Sequence, residues 1–164
     1  MMNASERRAT LALGSIFALR MLGLFMIVPV FAIYGQGYHG ATPALIGIAI
    51  GVYGLTQAIF QIPMSLLADR FPRKPLIVLG LVIFALGGLV SALSSDIWGV
   101  ILGRAIAGAG AVSAVVMALL ADVTREEQRT KAMAAMGMSI ALSFIVAFSL
   151  GPILTQFVGL NGLF

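Results

Sequence analysis

The sequence predicts an all-α membrane protein, a bundle of five transmembrane helices followed by the start of a sixth. Of its 164 residues, 60% are hydrophobic and 10% are charged, against about 25% charged in an average soluble domain. The apolar residues lie in five runs long enough to cross a bilayer, without the alternation of barrel strands. Because lipid offers the backbone no hydrogen bonds, we expect each run to be a helix.

The polar breaks between the runs set the expected bounds of the spans. Thr42 and Pro43 predict an N-cap and a first-turn proline for the second helix, and Ser95 or Asp96 is expected to cap the fourth. The five spans are predicted at residues 10–34, 45–68, 75–93, 97–121 and 132–157.

Capping and proline signals also describe the first and fifth helices. Thr124 and Glu127 have the spacing of a capping box, so the fifth helix is expected to begin near Arg125. Proline removes a helical hydrogen bond. Pro29 is therefore expected to kink or break the first helix, and Pro152, after Gly151, to mark the end of the fifth.

The distribution of basic residues predicts a cytoplasmic N-terminus, because cytoplasmic loops carry the excess of Lys and Arg. The net charge of +4 is thereby explained by membrane topology, and no nucleic-acid partner is expected. Without cysteine and with one histidine, His39, to which no role is assigned, no metal or cofactor is expected. Eight of the ten basic residues lie on the cytoplasmic side of the predicted topology: Arg7, Arg8, Arg70, Arg73, Lys74, Arg125, Arg129 and Lys131.

The nineteen glycines are interpreted mainly as points of close helix contact, with a substrate path as the less favoured alternative. The methionines are interpreted as adaptable filler, although Met21, Met26 and Met64 are also candidates for lining a cavity. Glycines at helical spacing mark one face of the second helix (Gly47, Gly51, Gly54) and the fourth helix (Gly99, Gly103, Gly108, Gly110).

Arg20 and Arg104 are the two basic residues placed inside predicted spans. A charge there is costly, so each is expected to face the bundle interior or a wet cavity with partners. The five runs hold no Asp or Glu, so the counter-charge must come from backbone carbonyls, a bound anion or protein beyond Phe164. Two interpretations stay open: the arginines tie helices together, or they line a functional cavity.

Four further polar residues are candidates for function. Gln57 and Gln61 lie one turn apart on the second helix, where they either bond to another helix or contact a substrate. Asp69 and Asp122 each end a helix, where the helix dipole disfavours an acid. Both acids are therefore expected to have other partners, such as neighbouring basic residues or the N-terminus of another helix.

Two segments resemble motifs of the major facilitator superfamily. Residues 65–74 resemble the loop motif Gly-x-x-x-Asp-Arg-x-Gly-Arg-Lys/Arg between helices two and three, with Ser65 and Pro72 replacing its glycines. Residues 104–111 match the fourth-helix motif Arg-x-x-x-Gly-x-Gly-Ala, whose glycines are Gly108 and Gly110 here. Gly23 to Pro29 and the Gly151-Pro152 pair are similar to first-helix and fifth-helix patterns of the drug/proton antiporters in this family.

The resemblance implies twelve helices in two six-helix bundles that rock around a midplane site. Residues 1–164 would be the N-terminal bundle, and the second bundle is absent from this chain. In the family, the acid at Asp69 engages the second bundle, the arginine at Arg73 pairs with Asp122, and Arg104 lines the cavity and influences proton transfer. The implied cytoplasmic gate comprises Asp69, Arg70, Arg73, Lys74 and Asp122.

The implied function is secondary transport of small molecules in a bacterial inner membrane, as proton-coupled efflux. The expected partners are the lipid bilayer, a small-molecule substrate, protons and the second bundle. The alternative is a membrane scaffold or receptor without transport activity, or an inactive fragment. An enzyme is the least favoured class, because no run holds a plausible nucleophile and base pair.

Overall fold

The structure is a computed structural model that describes residues 3–164 as a bundle of helices; residues 1 and 2 of the predicted bundle lie outside that range. Five segments are long and apolar enough to cross a membrane, with α4 and α5 forming the fourth together. The all-α, five-span prediction is confirmed. The helices are α1 (Ala4–Tyr34), α2 (Pro43–Arg70), α3 (Arg73–Leu93), α4 (Ile97–Ala109), α5 (Ser113–Val123) and α6 (Glu126–Val158), with 3-10 turns at Gly35–Gly37 and Asn161–Leu163.

Two of the predicted helix caps are confirmed. The Thr42 side chain accepts a hydrogen bond from the Leu45 backbone N–H at 3.2 Å, with Pro43 as the first residue of α2. Asp96 accepts from the Gly99 N–H at 2.9 Å at the start of α4. Both bonds satisfy donors that a helix start leaves free.

The predicted capping box at Thr124 is wrong, although α6 begins next to Arg125 as expected. Only two residues connect α5 to α6, so Thr124 ends α5 and its hydroxyl is buried instead of capping the next helix. A capping box occurs at α1: Asn3 Oδ1 accepts from the Glu6 N–H, and Glu6 Oε2 accepts from the Asn3 N–H, both at 2.8 Å.

The fourth span, expected as one helix over residues 97–121, is interrupted between α4 and α5. Gly110 leaves the helical conformation at φ −73° and ψ 45°. Its backbone lies so close to α3 that an added Cβ would contact the Gly80 carbonyl and, at 2.9 Å, the Phe84 nitrogen. Non-helical backbone at this depth is tolerated where protein surrounds it.

The prolines do not break their helices. α1 continues past Pro29, and α6 continues past Pro152, so the prediction that Gly151-Pro152 ends the fifth helix is wrong. A proline removes only its own donor, and the remaining bonds carry the helix onward. The end of α6 is set by Gly159 at φ 71°, whose N–H donates to the Thr155 carbonyl at 2.9 Å.

The helices pack in two groups: α1 lies against α6, and α4 lies between α2 and α3. The interior contains two apolar clusters, one in each half of the bundle. Met21 and Met64 belong to the cluster near the N-terminus, in agreement with their interpretation as filler. Many aliphatic side chains point outward, such as Leu93 at 76% exposure, which suits a lipid-facing surface.

The two groups of glycines differ in what they contact. On α4, a Cβ at Gly103 would meet Ser91 and the Gly87 carbonyl of α3, so the prediction of close contact holds for this helix. On α2, Gly47, Gly51 and Gly54 have nothing within 4 Å of an added Cβ, so that prediction is wrong within this bundle. Glycine spacing defines a face of small residues but not the surface that covers it.

Candidate functional site

The connection between α2 and α3 holds the charged loop, and one of its arginines reaches α5. Arg73 Nε lies 2.8 Å from Asp122 Oδ2. Asp122 is in the last turn of α5, where the helix dipole is unfavourable for an acid. The guanidinium of Arg73 therefore supplies the positive partner that the position of Asp122 required.

The other charged residues of the loop are exposed. Asp69 is in the last turn of α2 and forms no ion pair within residues 3–164. Arg70 and Lys74 flank it, also exposed. The structure thus brings Arg73 and Asp122 together. The Asp69 carboxylate is accessible at this end of α2.

A second ion pair joins α1 to the start of α6, and the sequence analysis missed it. Glu6 Oε1 accepts from the Arg125 backbone N–H at 3.0 Å and from Arg125 Nε at 2.9 Å, while Oε2 accepts from Nη2 at 3.2 Å. The hydrogen bonds that the Arg125 side chain donates to the Glu6 carboxylate raise the pKa of the Arg125 guanidinium above its ordinary value. In the sequence, the capping-box spacing of Asn3 and Glu6 was a local signal for the start of α1, but it did not indicate the contact with Arg125.

Arg20 reaches from the middle of α1 to the break in the fourth span. Its Nη2 donates to the Gly110 carbonyl at 3.0 Å, and its Nη1 donates to Ser113 Oγ at 3.1 Å. Its guanidinium carbon lies 5.3 Å from the centre of the Phe84 ring. Arg20 is 3% exposed, and in place of water its guanidinium contacts a carbonyl, a hydroxyl and the face of an aromatic ring.

Arg104, on α4, is equally buried but has fewer partners. Its Nε donates to the Ala49 carbonyl of α2 at 2.6 Å, and its guanidinium carbon lies 5.4 Å from the centre of the Tyr53 ring. The Tyr53 and Phe84 rings meet edge to face at 6.4 Å. The two arginines therefore flank one aromatic pair, with carbonyls supplying part of the expected counter-charge.

The remaining predicted site residues are spread over the bundle. Gln57 and Gln61 are half-buried on α2. Gly23 has nothing within 4 Å of an added Cβ and borders a small cavity, so it is not a contact point within this bundle. A Cβ added at Gly108 would contact α2, and a Cβ added at Gly151 would lie 3.2 Å from the Met26 carbonyl oxygen of α1.

Comparison with known proteins places these features in one family. The protein-family model for the Major Facilitator Superfamily matches residues 13–164 of this chain. Inner membrane transport protein YajR of Escherichia coli (strain K12) is 60% identical over 163 residues, which cover 99% of this chain and 36% of that protein.

Two other relatives are similar over nearly the whole chain. "Uncharacterized transporter BU466" of Buchnera aphidicola is 47% identical over 163 residues, 99% of this chain and 42% of that protein. "Tetracycline resistance protein, class B" of Escherichia coli is 32% identical over 161 residues, 96% of this chain and 38% of that protein. The chain therefore spans less than half the length of these relatives.

Proposed function

Since this chain belongs to the major facilitator superfamily, we propose that it forms the N-terminal bundle of a secondary active transporter. The transporter moves small molecules across a bacterial inner membrane by alternating access, with its N-terminus in the cytoplasm and a second bundle as partner. The relatives named as transport and tetracycline resistance proteins support export of small, amphipathic molecules. The basic residues at one end of the bundle support the orientation.

The observation that carries this proposal is that two charged residues of the loop, Arg73 and Asp69, differ in their partners. Arg73 pairs with Asp122 of the same bundle at 2.8 Å, which ties the loop to α5. Asp69, in the adjacent turn, is exposed and has no ion-pair partner in the described part of the chain. We infer that the Asp69 carboxylate contacts the second bundle and stabilises the state that is closed to the cytoplasm.

The proposed coupling ion is the proton. Within the predicted spans the buried charges are the two arginines, and no Asp or Glu side chain lines the small cavity beside Arg104. We therefore assign the titrating carboxyl group to the second bundle. Arg104 lines the small cavity, and we propose that it influences the proton on that carboxyl group. Uptake into proteoliposomes driven by an imposed pH gradient, and abolished by a protonophore, tests this assignment.

Replacing Asp69 by Asn in the full-length protein tests the gate. The change removes the charge with little change in size at an exposed position, so folded yield is expected to stay the same. Transport of tetracycline and of a panel of amphipathic dyes into inside-out vesicles is expected to slow several-fold. The matched control is Asp96→Asn, at the opposite end of the bundle, where Asn is an equally good helix cap.

Two results would count against the gate. Equal transport rates for Asp69→Asn and the wild type would show that this carboxylate has no role in the cycle. Equal losses in Asp69→Asn and Asp96→Asn would show a general effect of removing a surface charge. A protein that moves no substrate at all, with or without Asp69, would favour the scaffold alternative.

A further inference from the structure

The connection between α5 and α6 is short, and charged side chains hold it from two sides. Only Thr124 and Arg125 separate the two helices. Asp122, in the last turn of α5, pairs with Arg73 of α3, and Arg125 pairs with Glu6 of α1. The contact that holds the charged loop and the contact that holds α1 therefore lie three residues apart in the chain.

The two ion pairs differ in how far they are open to water. The Asp122 side chain is 52% exposed and the Arg73 side chain is 23% exposed, whereas the Glu6 side chain is 4% exposed. An ion pair in contact with water contributes little to stability and does not fix its own geometry. The pairing of Arg73 with Asp122 therefore depends on other contacts that keep the end of α5 in place.

The Glu6 carboxylate makes a contact of this kind, because it binds both the backbone and the side chain of Arg125. Its Oε1 accepts from the Arg125 backbone N–H at 3.0 Å and from Arg125 Nε at 2.9 Å. Its Oε2 accepts from Arg125 Nη2 at 3.2 Å and from the Asn3 N–H at 2.8 Å. Hydrogen bonds to an ionised acceptor are among the strong ones, and the backbone bond holds the main chain of the connection itself.

Other polar groups at the connection hold it less well. Arg129 Nε donates to the Ala121 carbonyl at 3.1 Å, but Arg129 is exposed, and this bond joins α6 to α5 without tying either helix to α1 or α3. The Thr124 hydroxyl and Gln128 Oε1 are buried and have no hydrogen-bond partner in residues 3–164. Buried polar atoms without partners cost free energy, so the position of the connection depends on the contacts that remain.

We propose that Glu6 is a positioning residue of the cytoplasmic gate. It holds the main chain at Arg125, so that Asp122 stays where it pairs with Arg73 and the charged loop with Asp69 stays in place. This inference rests on the proposed function and extends the gate to the first turn of α1. Removal of the Glu6 charge is expected to loosen the pairing of Arg73 with Asp122, although Glu6 contacts neither residue.

Distances between two spin labels test the positioning directly. In a cysteine-free form of the full-length protein, the labels are attached to Phe71→Cys in the charged loop and Val123→Cys at the end of α5, both exposed positions. Glu6→Gln keeps a residue that suits the capping box and removes the charge that faces Arg125. This variant is expected to broaden the distribution of distances between the labels.

The matched control for the distance measurement is Glu126→Gln. It removes an exposed acid from the residue next to Arg125, and Glu126 forms no ion pair in the part of the chain that the structure describes. The control is expected to leave the label distances unchanged. If Glu6→Gln does not fold, Arg125→Lys takes its place, because lysine keeps the positive charge and loses the two-point contact with the carboxylate.

Transport rates then show whether Glu6 acts through the gate. Glu6→Gln and Asp122→Asn are each expected to slow the transport of tetracycline or an amphipathic dye about fivefold, the effect of losing one modest contact. If both residues act through the same contact, the double variant is no slower than the slower single variant. If Glu6 stabilised the fold independently of the gate, the two losses would multiply.

The outcomes distinguish this inference from the proposed function. Unchanged label distances in Glu6→Gln, equal broadening in Glu126→Gln, or multiplied losses in the double variant would overturn the positioning role. Normal transport in Glu6→Gln together with slow transport in Asp69→Asn would overturn it as well. Broader distances in Glu6→Gln, with normal transport in both Glu6→Gln and Asp69→Asn, would support the positioning role and contradict the proposed function of the gate instead.

Discussion

Gly80 of α3 lies so close to the break in the fourth span that one added methyl group would occupy the place of a Val112 methyl. A Cβ on Gly80 would overlap Val112 Cγ1, while its next neighbour, the Gly110 carbonyl oxygen, is 3.5 Å away. Val112 is fully buried, so its side chain has nowhere to move. We expect Gly80→Ala to destabilise the bundle, and Val112→Ala in the same chain to remove the obstacle.

The expected magnitudes follow from two opposing effects. Overpacking a well-packed core costs about 1–3 kcal/mol, and alanine in a helix interior is about 1 kcal/mol more favourable than glycine. Because the Val112 side chain is rigid and buried, the net loss for Gly80→Ala is expected near 2 kcal/mol. Val112→Ala alone costs about 2 kcal/mol for two methyl groups and the space they leave.

The double variant is therefore expected to be no less stable than Val112→Ala alone, with a coupling energy of at least about 2 kcal/mol. Reversible unfolding of the full-length protein in mixed micelles measures all four states of the cycle. Gly137→Ala on α6 is the control, because an added Cβ there meets nothing within 4 Å. Additive losses in the double variant, or a Gly80→Ala variant as stable as the wild type, would refute the contact.

Three other changes have definite expected outcomes. Gly108→Ala would push against the Tyr53 carbonyl of α2, which cannot rotate away, so a loss of at least about 2 kcal/mol is expected in the same unfolding assay. Glu6→Gln weakens the hydrogen bonds to Arg125, and faster hydrogen exchange in the first turns of α6 is the expected readout. Asp96→Ala removes the cap of α4 and is expected to cost about 1 kcal/mol, whereas Asp96→Asn keeps it.

The sequence predicted the features that depend on interactions between residues close together in the chain. The apolar runs predicted five spans, and the side chains of Thr42 and Asp96 cap the helices that directly follow them. Thr124 shows the limit of this logic, because its spacing to Glu127 fits a capping box although Thr124 ends α5 and its hydroxyl is buried. The residue at which the preceding helix ends depends on tertiary packing, which a four-residue pattern does not contain.

Contacts between distant parts of the chain could not be predicted from spacing. Glu6 and Arg125 are separated by 119 positions, and nothing near either residue identifies the other. The break in the fourth span had a partial signal in Gly108 and Gly110, which glycine packing explained equally well. A helix break needs partners for the freed backbone, and the partner here is Arg20, 90 positions away.

Arg20 and Arg104 share one sequence signature, an arginine inside an apolar span, yet the structure gives them different roles. Arg20 donates from both terminal nitrogens, to Gly110 and to Ser113, so its charge stabilises the break, while its buried Nε has no hydrogen-bond partner among the described residues. Arg104 donates from Nε to the Ala49 carbonyl and lines the small cavity between the helices. Arg20 therefore ties α1 to the break in the fourth span, whereas Arg104 ties α4 to the backbone of α2. A buried arginine in an apolar span needs such partners, but its place in the sequence does not say which helix supplies them.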